Sequence, residues 1–502
     1  MIESTTIELG HDMLTGKIDT CEYVSVCQTL CHYLQHEDVW SSINRIKPSV
    51  HNVLSNYADA FKQHTYFYKN PAALRLPFYI DDLEVCNPLG SAKKKHSVTC
   101  VYFQVGNLEQ KHSSSLKSIH VACVARAVHV KKYGLHKVFE KLIADITALE
   151  RDGIEVKVDG KCHRVYASIS TISADNLAGH EIGGFRACFS SGRICRFCMA
   201  SYDEISSLFS ETDDCYQKLR TVNDHKNHVL SVTADKRLYS VNGVKKKSDL
   251  KLLESFDATT ALPPDCMHDV LEGLFPLILK VCLRGLMSTK PQVISVQQMN
   301  EKLITFSFGK NDVENRPPPL PLSFPNCNIV GTAAQKWCFF VKLPFLIGSL
   351  VPHGNPFWEL LCRTIADIIF APITNEHLSY LEQLISDHHR LLKDLAPDEF
   401  TPKCHFITHY PRLIRMYGPL RHVWCMRFEA YHQYLKSLAR TAGNFKNICF
   451  TIAERNQMKK CLEQSETNCL QNDVVDFVQR TKVVRSFPKS MQKPMTEYFA
   501  CS

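Results

Sequence analysis

No apolar run in this sequence is long enough to span a membrane. The best stretch, Trp337-Cys-Phe-Phe-Val-Lys-Leu-Pro-Phe-Leu-Ile-Gly348, is too short and is broken by Lys342 and Pro344. It reads as a core helix, and no membrane partner is expected. No hydrophobic leader follows Met1-Ile-Glu-Ser4, so an intracellular, reducing setting is expected for the 22 cysteines. Most of them then act as small buried hydrophobes, and a few remain as metal candidates. No internal repeat is visible. Neither sign of charge dominates strongly. The net charge of +8 over 502 residues suits nucleic acid, but a solvated surface gives the same value. An apolar fraction of 45% excludes a disordered chain. The length implies two or more structural units, or one fold with a large insertion.

Residues 1–65 read as helical and mixed, with Val24, Cys27, Leu30, Cys31 and Tyr33-Leu34 on one apolar face. From 66 to 185 the pattern is α/β. Leu74-Arg-Leu-Pro-Phe-Tyr-Ile80 is extended and runs into Asp81-Asp82, with a turn signal at Asn87-Pro-Leu-Gly90. Strands are expected at Ser97–Val105 and Ile119–Val128. A helix follows through Val138, Leu142, Ile146 and Leu149, stopped by Gly153. A hairpin at Asp159-Gly160 leads into a long strand, Arg164–Ile172, that ends at Asp175. Strand, strand, strand, helix, strand is how a ribonuclease H-like fold begins. In that topology the fourth strand lies parallel beside the first, and Asp81 and Asp175 fall at one sheet edge, where open α/β sheets bind ligands.

Residues 186–400 read as a mainly helical insertion, with the connector Arg316-Pro-Pro-Pro-Leu-Pro-Leu322 and a solvated run Lys245-Lys-Lys247. Residues 401–460 read as the last core helices, and 461–502 as a tail. In the run Trp424–Lys436, Trp424, Phe428, Tyr431 and Leu435 recur at i, i+4, i+7 and i+11, one helical face. Glu429 lies at the edge of that stripe. A carboxylate there costs free energy unless it is paired or bound to a metal.

Asp81 or its neighbour Asp82, together with Asp175 and Glu429, can hold two divalent ions roughly 3.5–4 Å apart. Mg²⁺ suits carboxylate, water and phosphate ligands. Each aspartate taken alone suits a turn or cap equally well. Cys195-Arg-Phe-Cys198 is a metal or redox pair, and metal is favoured because no thioredoxin-like strand closely precedes it. His225-Lys-Asn-His228 is the nearest partner pair for a Cys₂His₂ zinc site, with Cys188, Cys266 and His268 as competing ligands. In Leu262-Pro-Pro-Asp-Cys-Met-His-Asp269, Asp265 reads as a helix N-cap, or as an Asp265-x-x-His268 pair near the active site. His405 and His409 share helical spacing and read as packing residues or as phosphate contacts.

Taken together, these segments resemble transposases of the CACTA (En/Spm-like) class, especially the animal lineages. The matching pieces are Tyr79–Gly90, Ser173-Ala-Asp-Asn-Leu177 with Gly183-Gly-Phe185 and Cys195–Cys198, Leu262–Gly273, Tyr417-Gly-Pro-Leu420, Met426–His432, Asn444-Phe-Lys-Asn447 and Ala453-Glu-Arg455. They span about 70 to 460. The resemblance implies a ribonuclease H-like DDE core interrupted before its last catalytic helix. It implies strand cleavage and strand transfer with Mg²⁺ or Mn²⁺, and a triad of Asp81, Asp175 and Glu429. Asp265 rivals Asp175, because Asp265-x-x-His268 is itself a signature of the family. Double-stranded DNA at transposon ends, a homo-oligomer and a nuclear location follow as expectations. Arg421, Arg427, Lys436 and Arg440 are candidate phosphate contacts. No zinc finger or helix-turn-helix is visible before residue 70. The rival readings are therefore a domesticated or decayed transposase acting as a non-catalytic binding module, and an unrelated zinc-containing α/β nuclease.

Overall fold

The computed structural model describes residues 2–13, 16–45, 64–85, 96–211, 219–253, 255–310, 312–362, 374–443, 445–465 and 469–470. The Asn87–Gly90 turn, Asn444 and the stretch after 480 lie outside these residues. Two compact units emerge. The first is Met1–Met199, Lys218–Asp265 and Leu413–Asp473; the second is built chiefly from Ala200–Gln217 and Cys266–Arg412. Sequence reading set the insertion at 186–400, whereas the division falls later, and 218–265 belongs with the sheet.

Among the described residues of the first unit, eight strands form: β1 (Thr5–His11), β2 (Ile18–Tyr23), β3 (Leu74–Glu84), β4 (Ser97–Phe103), β5 (His120–Arg126), β6 (Ile154–Val158), β7 (Lys161–Val165) and β8 (Ala167–Ser173). Six of them make one mixed sheet in the order β1-β2-β5-β4-β3-β8, and β6-β7 is a separate hairpin. The β3–β4 and β4–β5 pairs are antiparallel, while β8 runs parallel to β3 with Tyr79 opposite Ser173. Every residue of β8 is buried, the pattern of a strand covered on both faces. Beyond β8, Ile172 N–H donates to Ala261 O at 2.7 Å, so the chain at 258–262 covers that edge.

The helices of this unit used below are α1 (Val26–Tyr33), α2 (Glu140–Arg151), α3 (Asn176–Gly183), α4 (Val222–Ala234), α5 (Met426–Ala442) and α6 (Ile448–Ser465). Gly153, at φ +64, ends the turn after α2 in a conformation that favours glycine. Strand alternation sends Leu76, Phe78 and Ile80 to one face, with Leu142, Ile146 and Leu149 of α2. Tyr79 and Leu83 go to the other, with Phe428, Tyr431 and Leu435 of α5 and Ile452 of α6. The result is a sheet with a helical layer on each face, an α/β architecture. The expectation of a helical start was incomplete, because β1 and β2 extend the sheet beside β5. Their short β-branched alternation, Thr5-Thr-Ile-Glu-Leu, was masked by the stronger helical face of α1.

The second unit is mainly helical. Ala333–Ile347 is the core helix expected around Trp337–Gly348, and Pro344 lies inside it. Phe340 stacks on Phe275 at 4.0 Å. Met267–Leu274 is a π-helix, a rare form often found at functional sites. Among the described residues no helix is long and apolar enough to cross a membrane.

Candidate active site

Strand geometry separates Asp81 from Asp82. Neighbouring residues on a strand face opposite ways, so Asp81 shares the face of Tyr79 and Leu83, on which α5 packs. Asp82 points to the other side, is exposed, and accepts from Thr99 Oγ1 at 2.5 Å. Asp81 Oδ2 accepts from the Tyr79 hydroxyl at 2.8 Å, and Oδ1 accepts from the Asp82 N–H at 2.7 Å. Its side chain is 24% exposed.

The start of α5 is brought to Asp81 by aromatic packing. Phe428 stacks on Tyr79 at 4.6 Å, nearly parallel, and Tyr431 meets Tyr102 edge-on at 5.7 Å. These contacts put Glu429 and His432, three residues apart, on the side of α5 near Asp81. His432 Nδ1 is 3.8 Å from Asp81 Oδ2. Burial, and then Lys436, holds His432 down at about 4, so the ring is neutral beside the carboxylate. The stripe expected from Trp424 holds for Phe428, Tyr431 and Leu435. Trp424 itself lies before the helix starts and is only half-buried.

The two rival aspartates occupy different positions. Asp175 follows β8 at the sheet edge and is the N-cap of α3; its Oδ1 accepts from Ala178 N–H at 2.7 Å. Asp265 is 1% exposed and does not cap the following helix, contrary to expectation. Its Oδ1 accepts from the Cys425 N–H at 3.2 Å, the residue that begins α5. Burial, then Asp265, then Asp81 and Glu429 push the Cys425 thiol well above its usual pKa. Burial, Cys425, Asp81 and Glu429 do the same to the Tyr79 hydroxyl. Asp81, Asp265 and Glu429 therefore act on one small region. Among the described residues, the groups whose ligand atoms lie within 4.8 Å of one another do not include Asp81, Asp175 and Glu429 together.

Cysteine and histidine groups that could hold a metal ion are present. In the first unit, Cys195 and Cys198 are both buried. Arg220 braces their loop, donating to the carbonyls of Cys195 at 3.4 Å and Cys198 at 3.0 Å. Phe197 N–H points at Cys195 Sγ, 3.3 Å away. Burial and the neighbouring Cys198 push the Cys195 thiol well up, a cost that a bound cation would remove. His225 and His228 sit on α4 and are not in the ligand group that contains these cysteines. His225 instead packs on Phe185 at 5.2 Å, and Asn242 bonds His228 Nε2 at 2.9 Å. In the second unit, the fully buried His405 and His409 meet edge-on at 5.0 Å. His409 Nδ1 bonds Glu211 at 2.5 Å, and Glu211 is held in turn by Arg412 Nε at 3.0 Å. A carboxylate on one ring nitrogen is the usual support of a metal-ligating histidine. His268 faces Glu272 at 3.9 Å on the π-helix.

Sequence reasoning did not single out Tyr79 or His432. Both had a signal: two residues from Asp81 on a strand, and three from Glu429 on a helix. Comparison of the chain with family models and with curated proteins gave no match.

Proposed function

We propose that the first unit is a ribonuclease H-like catalytic core that cleaves DNA and joins strands at transposon ends. The observation that carries this reading is the strand order β5-β4-β3-β8, with β8 parallel to β3 and Asp81 on the face where α5 brings Glu429. Asp81, Asp175 and Glu429 would hold Mg²⁺ or Mn²⁺, and Cys195 with Cys198 would take Zn²⁺. The donor set fits a hard cation. Asp81 is fixed by the Tyr79 hydroxyl and the Asp82 N–H, and its carboxylate offers the hard oxygen ligands that such ions take. When bound, the divalent ions activate a water or a DNA 3′-hydroxyl and stabilise the leaving oxygen.

The chain's own residues do the positioning. Tyr79 fixes the Asp81 carboxylate, and neutral His432 packs beside it without neutralising it. Asp265 fixes the start of α5, and so acts on Glu429 through the backbone of Cys425. Arg421, Arg427, Lys436 and Arg440, on or just before α5, are placed to meet phosphates of a bound duplex. In this reading the protein acts in the nucleus as a homo-oligomer.

The test is nicking of supercoiled DNA by the full chain with Mg²⁺ or Mn²⁺. Metal-dependent nicking that Glu429→Gln abolishes is the expected result. Nicking unchanged in Glu429→Gln would sink the triad. DNA binding with no cleavage in any metal would favour a non-catalytic binding module derived from a transposase.

A further inference from the structure

A cavity of about 80 Å³ opens where the ends of β3 and β4 meet the segment leading into α5. Three arginines, Arg75, Arg421 and Arg427, line it together with His422, Trp424 and Thr171. No carboxylate is among its described lining residues. The Thr171 hydroxyl is buried and has no hydrogen-bond partner among the described residues. Leaving a buried hydroxyl unbonded is unfavourable, so a ligand that bonds it is favoured.

We infer that this cavity receives one phosphate group of a nucleic-acid strand, with the guanidinium groups and the Thr171 hydroxyl as donors. The choice of a nucleic-acid phosphate rests on the catalytic reading above; the anion site itself rests on the cavity. Size supports a single oxyanion. The volume is several times the roughly 10–15 Å³ that one water needs, which leaves room for a phosphate group. Chemistry supports it too, since arginine forks match phosphate oxygens two at a time. Burial, then Arg421 and Arg427, lowers His422 to about 3, as positive charge gathered in a confined place does. Pro77, on the cavity wall, is four strand residues from Asp81, roughly 13 Å at the usual rise. The held phosphate would then lie a few nucleotides from the reacting phosphodiester at about 3.4 Å of rise per nucleotide.

The experiment titrates the full chain with inorganic phosphate by calorimetry, and separately with a fluorescent DNA oligonucleotide by anisotropy. Arg427→Gln and Thr171→Val are run alongside, with folding checked by circular dichroism. Thr171→Val keeps the shape of the side chain and guards against a misfolded arginine variant. We expect oligonucleotide affinity to fall about tenfold or more in Arg427→Gln, and several-fold in Thr171→Val. Oligonucleotide binding with no detectable inorganic phosphate binding supports the same site, with the strand supplying the rest of the affinity. Saturable binding of inorganic phosphate alone, with the oligonucleotide unaffected by either variant, overturns the nucleic-acid assignment. Equal affinities in the wild type and both variants overturn the pocket. Arg427-dependent binding without metal-dependent cleavage sinks the catalytic reading and leaves the pocket standing.

Discussion

His389 makes the stability of the second unit depend on pH, and the size of the effect follows from its surroundings. The ring is fully buried. Nε2 bonds the Cys404 carbonyl at 2.9 Å and must therefore carry the hydrogen; Nδ1 faces His388 Nδ1 at 3.0 Å and must accept. A second proton on His389 would set two N–H groups against each other. Burial is the main cause that takes its pKa from 6.5 down to about 4, with His405 adding to it and the Cys404 bond opposing. The folded pKa lies below the unfolded one, so the unfolded chain binds the proton first and stability is lost as pH falls below about 6.5. At pH 5 the folded ring is still mostly neutral and the unfolded ring mostly charged. The loss is then about 2 kcal/mol relative to pH 7.5, rising to about 3.4 kcal/mol below pH 4. The pH 5 value hardly changes if the folded pKa is lower still, which makes it the better place to measure. Urea unfolding at pH 7.5 and 5.0, followed by tryptophan fluorescence, reads the slope. His389→Gln keeps a donor for Cys404 but does not titrate. Its stability should fall by about 2 kcal/mol less than the wild type between the two pH values. Equal losses in the two proteins would refute the buried neutral assignment.

Three further outcomes follow. Phe428→Ala removes a 6% exposed ring stacked between Tyr79 and Tyr102, and should lower stability by about 3–5 kcal/mol in denaturant melts. Asp265→Asn keeps an oxygen for the Cys425 N–H and Asp265→Ala does not. If Asp265 positions α5, the asparagine retains most of any nicking activity and the alanine loses it, whereas equal loss in both makes Asp265 a metal ligand. On the proposed zinc reading, Cys195→Ser with Cys198→Ser should remove about one equivalent of zinc in elemental analysis; unchanged zinc would exclude this pair.

The sheet was legible where strands carried dense β-branched and aromatic residues, as in Ser97–Phe103 and His120–Arg126. The parallel pairing of β8 with β3 was expected from the order strand, strand, strand, helix, strand, and β8 does run beside β3. The Asp81–Asp82 choice was not legible, because two adjacent acids give no parity. Only the packing of Tyr79 against Phe428 tells which side faces α5. The cap reading of Asp265 failed, because Pro263-Pro264 before it only looks like a helix start. Its real partner, Cys425, is 160 residues away, and no local pattern reports a bond of that span. The same distance problem hid the cavity, whose arginines come from β3, from the approach to α5 and from α5 itself.

The bond from Arg126 to the Phe445 carbonyl joins residues 319 positions apart, and it closes the sheet face that α5 and α6 cover. At ribosomal rates of about 5–20 residues per second, that face waits roughly 15 s to a minute for its cover. Until then Tyr79, Leu83, Val98 and Tyr102, which α5 and α6 cover in the folded protein, lack that cover. Placing a whole helical unit between the sheet and its last helices thus makes newly synthesised chains depend on what shields them before residue 426 emerges. Yield in cells should respond to chaperone capacity more strongly than the stability of the finished fold would indicate.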